Sequence, residues 1–336
     1  MLSSIDRCLF IVLGPVLFLL YINDLPAHVA DATINLFADD TSSIISATDP
    51  VSLSIKFNLV MCQLVQWLHC NKLSLNKDKT KVIVFNSAPS PALSVNINLH
   101  GITLADDVKF LGLHLDSSFA WKSHIENLSK KLARALYSLR ALRGSVSTDV
   151  LLLAYHAYFA SIMRYGVMFW GGSTAAIKIF RLQKQAVRII TISGPISRRT
   201  SCRSKFKQLA ILTLPSLYIQ QLTLFIRHNP QHTAHCHYTH EHNTRHKHTF
   251  RHPRTHTTIG DKSCLNIGLR LYNGLSQHIS STTDNKFKSE LHKFLTQKEY
   301  YTVSFSIHDV SSQIIFNVLC LLTIYHFIDD CLHQCI

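Results

Sequence analysis

Asp39 and Asp40 stand side by side in ATINLFADDTSSIISA, residues 32–47. The alternation in this stretch marks two strands, with Ala38-Asp39-Asp40 as the turn of a β-hairpin. Asp side chains suit turns because they hydrogen-bond to nearby backbone. A hairpin tip presents both carboxylates at a sheet edge, where such oxygens can hold Mg²⁺ while the ion keeps water and substrate phosphates. Two metals about 3.5–4 Å apart can activate a 3′-hydroxyl and stabilise a leaving pyrophosphate. Neighbouring strand residues point to opposite faces, so one of the pair is expected to be the main ligand. Paired Asp at a turn is more often solvated structure, so Ala-Asp-Asp alone is weak evidence.

A second group of residues has the chemistry to bind phosphate. Over 119–143, Trp121, Ile125, Leu128, Leu132, Leu136 and Leu139 recur at spacings of three and four. Lys122, Lys130, Lys131, Arg134 and Arg140 fall largely off that stripe, which predicts an amphipathic helix with a basic face. With Lys184 and Arg188 further on, this face could track a nucleic-acid backbone, each neutralised phosphate adding to affinity and to its salt dependence. The plainer reading is a solvated helix face. Trp121 and Trp170 lie on helical stripes and are expected in the core rather than stacked on bases.

The remaining elements position these groups. Residues 14–26 form an apolar helical run stopped by Pro26, and 51–70 form a helix with Leu53, Phe57, Val60, Leu64 and Leu68 on one face. Strands are expected at 79–86, 94–99 and 107–115. Beyond Phe119 the period turns helical, with further helices at about 147–170, 174–192, 201–211 and 216–228, and the boundary lies near 117. Residues 228–258 are rich in His, Thr and Arg and read as a linker. A helical segment follows at 262–298. The apolar run 314–328 falls short of the roughly 20 residues a spanning helix needs and is expected to be a buried helix or read-through tail.

The net charge of +14 points to a polyanionic partner, either nucleic acid or an acidic membrane surface. Residues 1–60 are acidic on balance within this basic chain, as suits a metal-dependent enzyme acting on phosphates. Nine cysteines show no C-x-x-C pair and no secretory signal precedes them. Free thiols in a reducing compartment follow, and an intracellular location in cytoplasm or nucleus rather than secretion. Cys236, His237, His240 and His242 suggest zinc, but one Cys among many His does not match a structural site.

Ordered blocks over about 13–228 resemble the reverse transcriptases of non-LTR (LINE- and jockey-type) retrotransposons. FADD is similar to the Tyr/Phe-x-Asp-Asp box, motif C, and LGPVLFLLYINDLP (13–26) to the end of motif B. WLHCNKLSLNKDKTKVIVF (67–85) looks like motif D, and KFLGLHLD (109–116) like motif E, the primer grip. LQKQAVRII (182–190) and SKFKQLAILTLPSLYIQQ (204–221) resemble the helical region behind the thumb of insect-type elements, and traces such as RLYNGL (270–275) carry the likeness towards Leu295.

The resemblance implies an α/β then mainly α fold: the distal half of a right-hand polymerase palm, then a helical thumb and C-terminal helices. It divides the chain into a non-family leader (1–12), a partial palm (13–117), a thumb region (118–228), a His-rich linker (229–260) and a helical, apolar tail (261–336). It makes Asp39 and Asp40 catalytic carboxylates and Mg²⁺ ligands, with Lys79 as general acid near the departing pyrophosphate. Phe110, Leu111 and Gly112 become the primer grip. An RNA template and a DNA primer are the implied partners, with no membrane and no specific protein partner.

Departures from the pattern matter too. CLFIV (8–12) replaces the Gln-Gly-Ser stretch that opens motif B, and Asp6 has the wrong neighbours to stand for the Asp of motif A. Motif A, the fingers and the endonuclease domain are expected to be missing, which predicts weak metal binding and no independent polymerase activity. The alternatives are a non-catalytic basic nucleic-acid-binding module and a translated pseudogene fragment without function.

Overall fold

The computed structural model describes residues 4–85, 101–191, 201–230, 250–253, 258–298, 300–301 and 318–325, with backbone alone for 4–12, 103, 258–259, 277 and 318–325. The chain is mixed α/β and mostly helical. It divides into two units, one of 1–119 with 314–336 and one of 120–313.

The first unit begins with helices α1 (Ser4–Ile22) and α2 (Leu25–His28). Pro26 does not stop a helix, as the sequence suggested, but sits in the first turn of α2, where a missing N–H is tolerated. Strands β1 (Thr33–Phe37) and β2 (Asp40–Ala47) form the expected hairpin, and α3 (Pro50–Cys70) follows. Asp49 caps α3 by accepting a hydrogen bond from the Ser52 backbone N–H at 2.9 Å, and Pro50 opens the helix with its φ already fixed. Then come β3 (Lys81–Phe85), β4 (Thr103–Leu104), β5 (Asp107–Phe110), β6 (Leu113–Asp116) and, near the C-terminus, β7 (Val318–Tyr325).

The main sheet has the order β1-β2-β7-β3-β4. β7 runs antiparallel to β2 on one side and to β3 on the other, and β3 pairs parallel with β4. The apolar run 314–328 was expected as a buried helix or tail, and its 318–325 portion is instead a central strand. An uninterrupted apolar run suits either state, and periodicity alone cannot separate them. The single strand expected at 107–115 is also corrected, into the β5–β6 hairpin. Leu111 (φ 43°) and Gly112 (φ 82°) both have positive φ, as the two central residues of a type I′ turn require. The strand expected at 94–99 lies outside the described residues.

The sheet buries apolar residues on both faces. Ile45, Ala47 and Val82 join Leu53, Phe57, Val60, Leu64 and Trp67 of α3, with Ile22 and Leu25, in the larger core. Ile83 and Phe85, one residue out of phase with Val82, pack with Val108 in a second cluster that Ile44, Leu115 and Phe119 border. α3 is long and apolar enough to cross a membrane by length and composition, but its Leu53–Leu68 stripe is committed to this core.

The second unit is helical: α4 (Lys122–Leu142), α5 (Thr148–Ala154), a π-helical turn (Tyr155–Ala160), α6 (Ser161–Arg164), α7 (Val167–Trp170), α8 (Ile177–Thr191), α9 (Arg203–Gln208), α10 (Leu214–His228), α11 (Thr258–Asp261), α12 (Cys264–Asn273), α13 (Gln277–Ser280) and α14 (Asp284–Lys298). α4 buries the predicted stripe, and Trp121 and Trp170 are both in the core. Buried Gln183 of α8 bridges three segments: it donates to Tyr155 Oη (3.1 Å) and to the Leu212 carbonyl (2.8 Å), and accepts from the Leu214 N–H (2.8 Å). Arg227 ties α10 to the C-terminal helices, donating to Asp284, to Tyr272 Oη and to the carbonyls of Ser280 and Thr282. The Cys236–His242 cluster lies outside the described residues.

Candidate active site

The turn between β1 and β2 contains only Ala38 and Asp39, and Ala38 takes a left-handed φ of 52°. Asp39 is exposed at the tip, whereas Asp40 is the first residue of β2, half-buried and paired with Phe37. By strand alternation Asp40 shares a face with Ile44, the face on which the β5–β6 hairpin packs. Burial first, and the charge of Asp39 second, hold the Asp40 carboxyl above its ordinary range. A carboxyl whose ionisation is opposed by burial and by a neighbouring carboxylate is a setting a divalent cation would relieve. Asp39 and Asp40 supply carboxylate oxygens, the donor type that Mg²⁺ takes. Among the described residues no group of three or more His, Cys, Asp or Glu is arranged to hold a metal ion.

Lys79 lies outside β3, which begins at Lys81 rather than at the expected 79. It is exposed in the turn that enters β3, its backbone N–H donating to Asn76 Oδ1 at 3.1 Å, and Thr80 beside it is fully buried. The sheet register still relates it to the Asp pair. Lys81 is level with Thr323, which is level with Ser42, so two residues earlier Lys79 approaches the level of Asp40. The two stand at the same end of one sheet, separated by two strand spacings, roughly 10 Å between backbones. Phe110 and Leu111 are half-buried and Gly112 is exposed at the tip of the β5–β6 turn. This hairpin is anchored to β3 through Val108, Ile83 and Phe85.

No family model matches the chain, and no solved structure matches it. Over 193 residues, 54% of this chain and 21% of the relative, it is 25% identical to the RNA-directed DNA polymerase from mobile element jockey of Drosophila melanogaster. The jockey polymerase of Drosophila funebris is 24% identical over 192 residues. The probable RNA-directed DNA polymerase from transposon X-element of Drosophila melanogaster is 23% identical over 205 residues, 58% of this chain and 23% of the relative. The chain is a distant relative of non-LTR reverse transcriptases. It spans about a fifth of the length of these relatives.

In the helical unit of this reverse-transcriptase relative, Lys122, Lys130, Lys131 and Arg134 are all exposed, opposite the buried stripe of α4. Lys184 and Arg188 of α8 differ, since both are half-buried, and the Lys184 ammonium stands 4.8 Å from the Phe180 ring centroid. Lys178 and Arg181 are the exposed cations of α8, outside the expected set of phosphate contacts. The helical period could have found them, because Ile179, Phe180, Gln183, Ala186 and Val187 define the buried side of α8.

Proposed function

We propose that this chain carries the distal palm and helical thumb of a reverse transcriptase, an RNA-directed DNA polymerase. The observation that carries the reading is the Asp39-Asp40 hairpin tip with the Lys79 turn at the same end of one sheet. Asp39 and Asp40 would hold Mg²⁺, which supplies positive charge for substrate phosphates. Lys79 is suited to give a proton to a departing pyrophosphate and to offset its charge. Phe110, Leu111 and Gly112 form a turn on which a primer terminus can rest. Lys122, Lys130, Lys131 and Arg134, with Lys184 and Arg188, neutralise phosphates of an RNA template and DNA primer.

This chain acting alone does not extend a primer, because two carboxylates hold the metals weakly. Its four described free thiols, Cys62, Cys70, Cys202 and Cys264, fit a reducing intracellular compartment. The reading requires no membrane and no protein partner. The test is binding and extension of a primed RNA template with Mg²⁺. Binding should weaken steeply with salt, and weaken again when Lys122, Lys130, Lys131 and Arg134 are all changed to Gln. Binding indifferent to both would sink the nucleic-acid reading. Extension abolished by Asp39→Asn with Asp40→Asn would keep the polymerase and overturn its inactivity.

A further inference from the structure

A cavity of about 300 Å³ lies within the helical unit, between the π-helical turn, α6 and the 209–217 segment, a size at the lower end for small-molecule sites. Its walls are apolar at Met163 and Leu217 and polar at Tyr155, His156, Arg164 and His292, with no Asp or Glu in the lining. π turns inside helices are frequent at functional sites, and their i→i+5 bonding puts residues five apart on one face. Tyr155, His156 and Ala160 of this turn line the cavity.

Arg164 and Tyr155 offer donors only, and neutral His156 offers one N–H beside an acceptor nitrogen. Tyr155 is fully buried, and its oxygen accepts from Gln183, but among the described residues nothing accepts the phenol's own proton. Burial pushes that phenol up to about 12, so it remains a donor. Arg164 is permanently charged, and no carboxylate among the described residues pairs with it. Burial and then the Arg164 charge push His156 and His292 below the ordinary imidazole value. His292 is already engaged, with Nδ1 3.4 Å from Gln220 Nε2 and a bond to the Ala210 backbone, and serves as wall. What is left over is a cation and donors beside an apolar space. The matching ligand supplies oxygen acceptors, negative charge and a short apolar body.

We propose that this cavity binds a small organic oxyanion, its carboxylate or phosphate oxygens on Arg164, Tyr155 and His156 and its apolar body against Met163 and Leu217. The site is independent of the polymerase reading. Calorimetric titration of the full chain would use phenyl phosphate and benzoate as probes, with benzyl alcohol as a neutral control and inorganic phosphate as the bare anion. At least one organic anion should bind, and the tighter of the two identifies the headgroup. Arg164→Gln, an exposed change that should leave thermal unfolding in place, should weaken binding about tenfold or more. Tyr155→Phe, which keeps the ring in the core, should weaken it several-fold. The proposal is overturned if neither anion binds, if benzyl alcohol or inorganic phosphate binds as well as the organic anions, or if Arg164→Gln leaves the affinity unchanged.

Discussion

The two units bury apolar surface by different means. In the helical unit, buried polar side chains tie segments together: Gln183 makes three bonds, Thr213 pairs with Ser216 and the Tyr300 carbonyl, and Thr223 bonds back to Ile219 and Gln220, while Ser173 Oγ and Asn266 Oδ1 are buried with no hydrogen-bond partner. In the sheet unit, Thr41 Oγ1 and Ser43 Oγ of β2 are buried with no hydrogen-bond partner. Its helices also leave apolar side chains in water, Leu13, Val16, Leu17, Leu19 and Leu20 on α1 and Val51, Ile55, Leu59 and Val65 on α3. The helical unit exposes Leu153, Tyr158, Tyr165, Phe169 and Ile177 as well. The helical unit is one continuous run of chain, whereas the sheet unit depends on a strand contributed from 318–325.

The severest way to break this contrast is to cut the chain after Gln313. Loss of β7 removes the strand between β2 and β3, so amide-exchange protection in both should collapse while α4, α8 and α10 keep theirs. Equal loss in both units would show that the helical unit is not self-sufficient. Arg227→Ala strikes the other unit, removing a half-buried fork of bonds to Asp284, Tyr272, Ser280 and Thr282, and should lower its stability by about 2 kcal/mol in chemical denaturation. A smaller loss, about 1–2 kcal/mol, is expected of Gly268→Ala, because the added Cβ would meet Ile226 Cγ1 at 2.8 Å where α12 crosses α10.

The smallest effect should have the opposite sign. Asp40 has a folded-state value raised above the ordinary 3.8, so its ionisation opposes folding. That cost is fully present above the raised value and disappears as pH falls below 3.8. Asp40→Asn should therefore stabilise the sheet unit slightly at neutral pH and make no difference under acid conditions. Thermal melts at the two pH values would check it, and a destabilised variant at neutral pH would contradict the cost of ionisation.

What could be read in the residues, and what could not, follows the same division. The Asp hairpin was legible because alternation and a turn-tolerant Asp pair agree in 32–47. Helices α3, α4, α8 and α10 were legible because apolar residues recur at helical spacing over four or more turns. The β5–β6 hairpin was missed because Leu111 occupies a left-handed position that side chains larger than glycine rarely take, so KFLGLHL read as one strand. β7 was missed because VLCLLTIY carries no period that distinguishes strand from helix. The anion cavity was invisible for a different reason: it gathers residues from 155–164, 209–217 and position 292, a juxtaposition made by packing alone.

β7 also sets a schedule for the nascent chain. Roughly 200 residues separate the end of the first sheet segment from this strand. At synthesis rates of about 5–20 residues per second, β2 and β3 wait on the order of 10–40 s for their partner. Throughout that interval both strands present open rows of amide and carbonyl groups, the surface on which one polypeptide captures another. Anything that shields those edges until β7 is synthesised should raise the yield of folded protein in a cell.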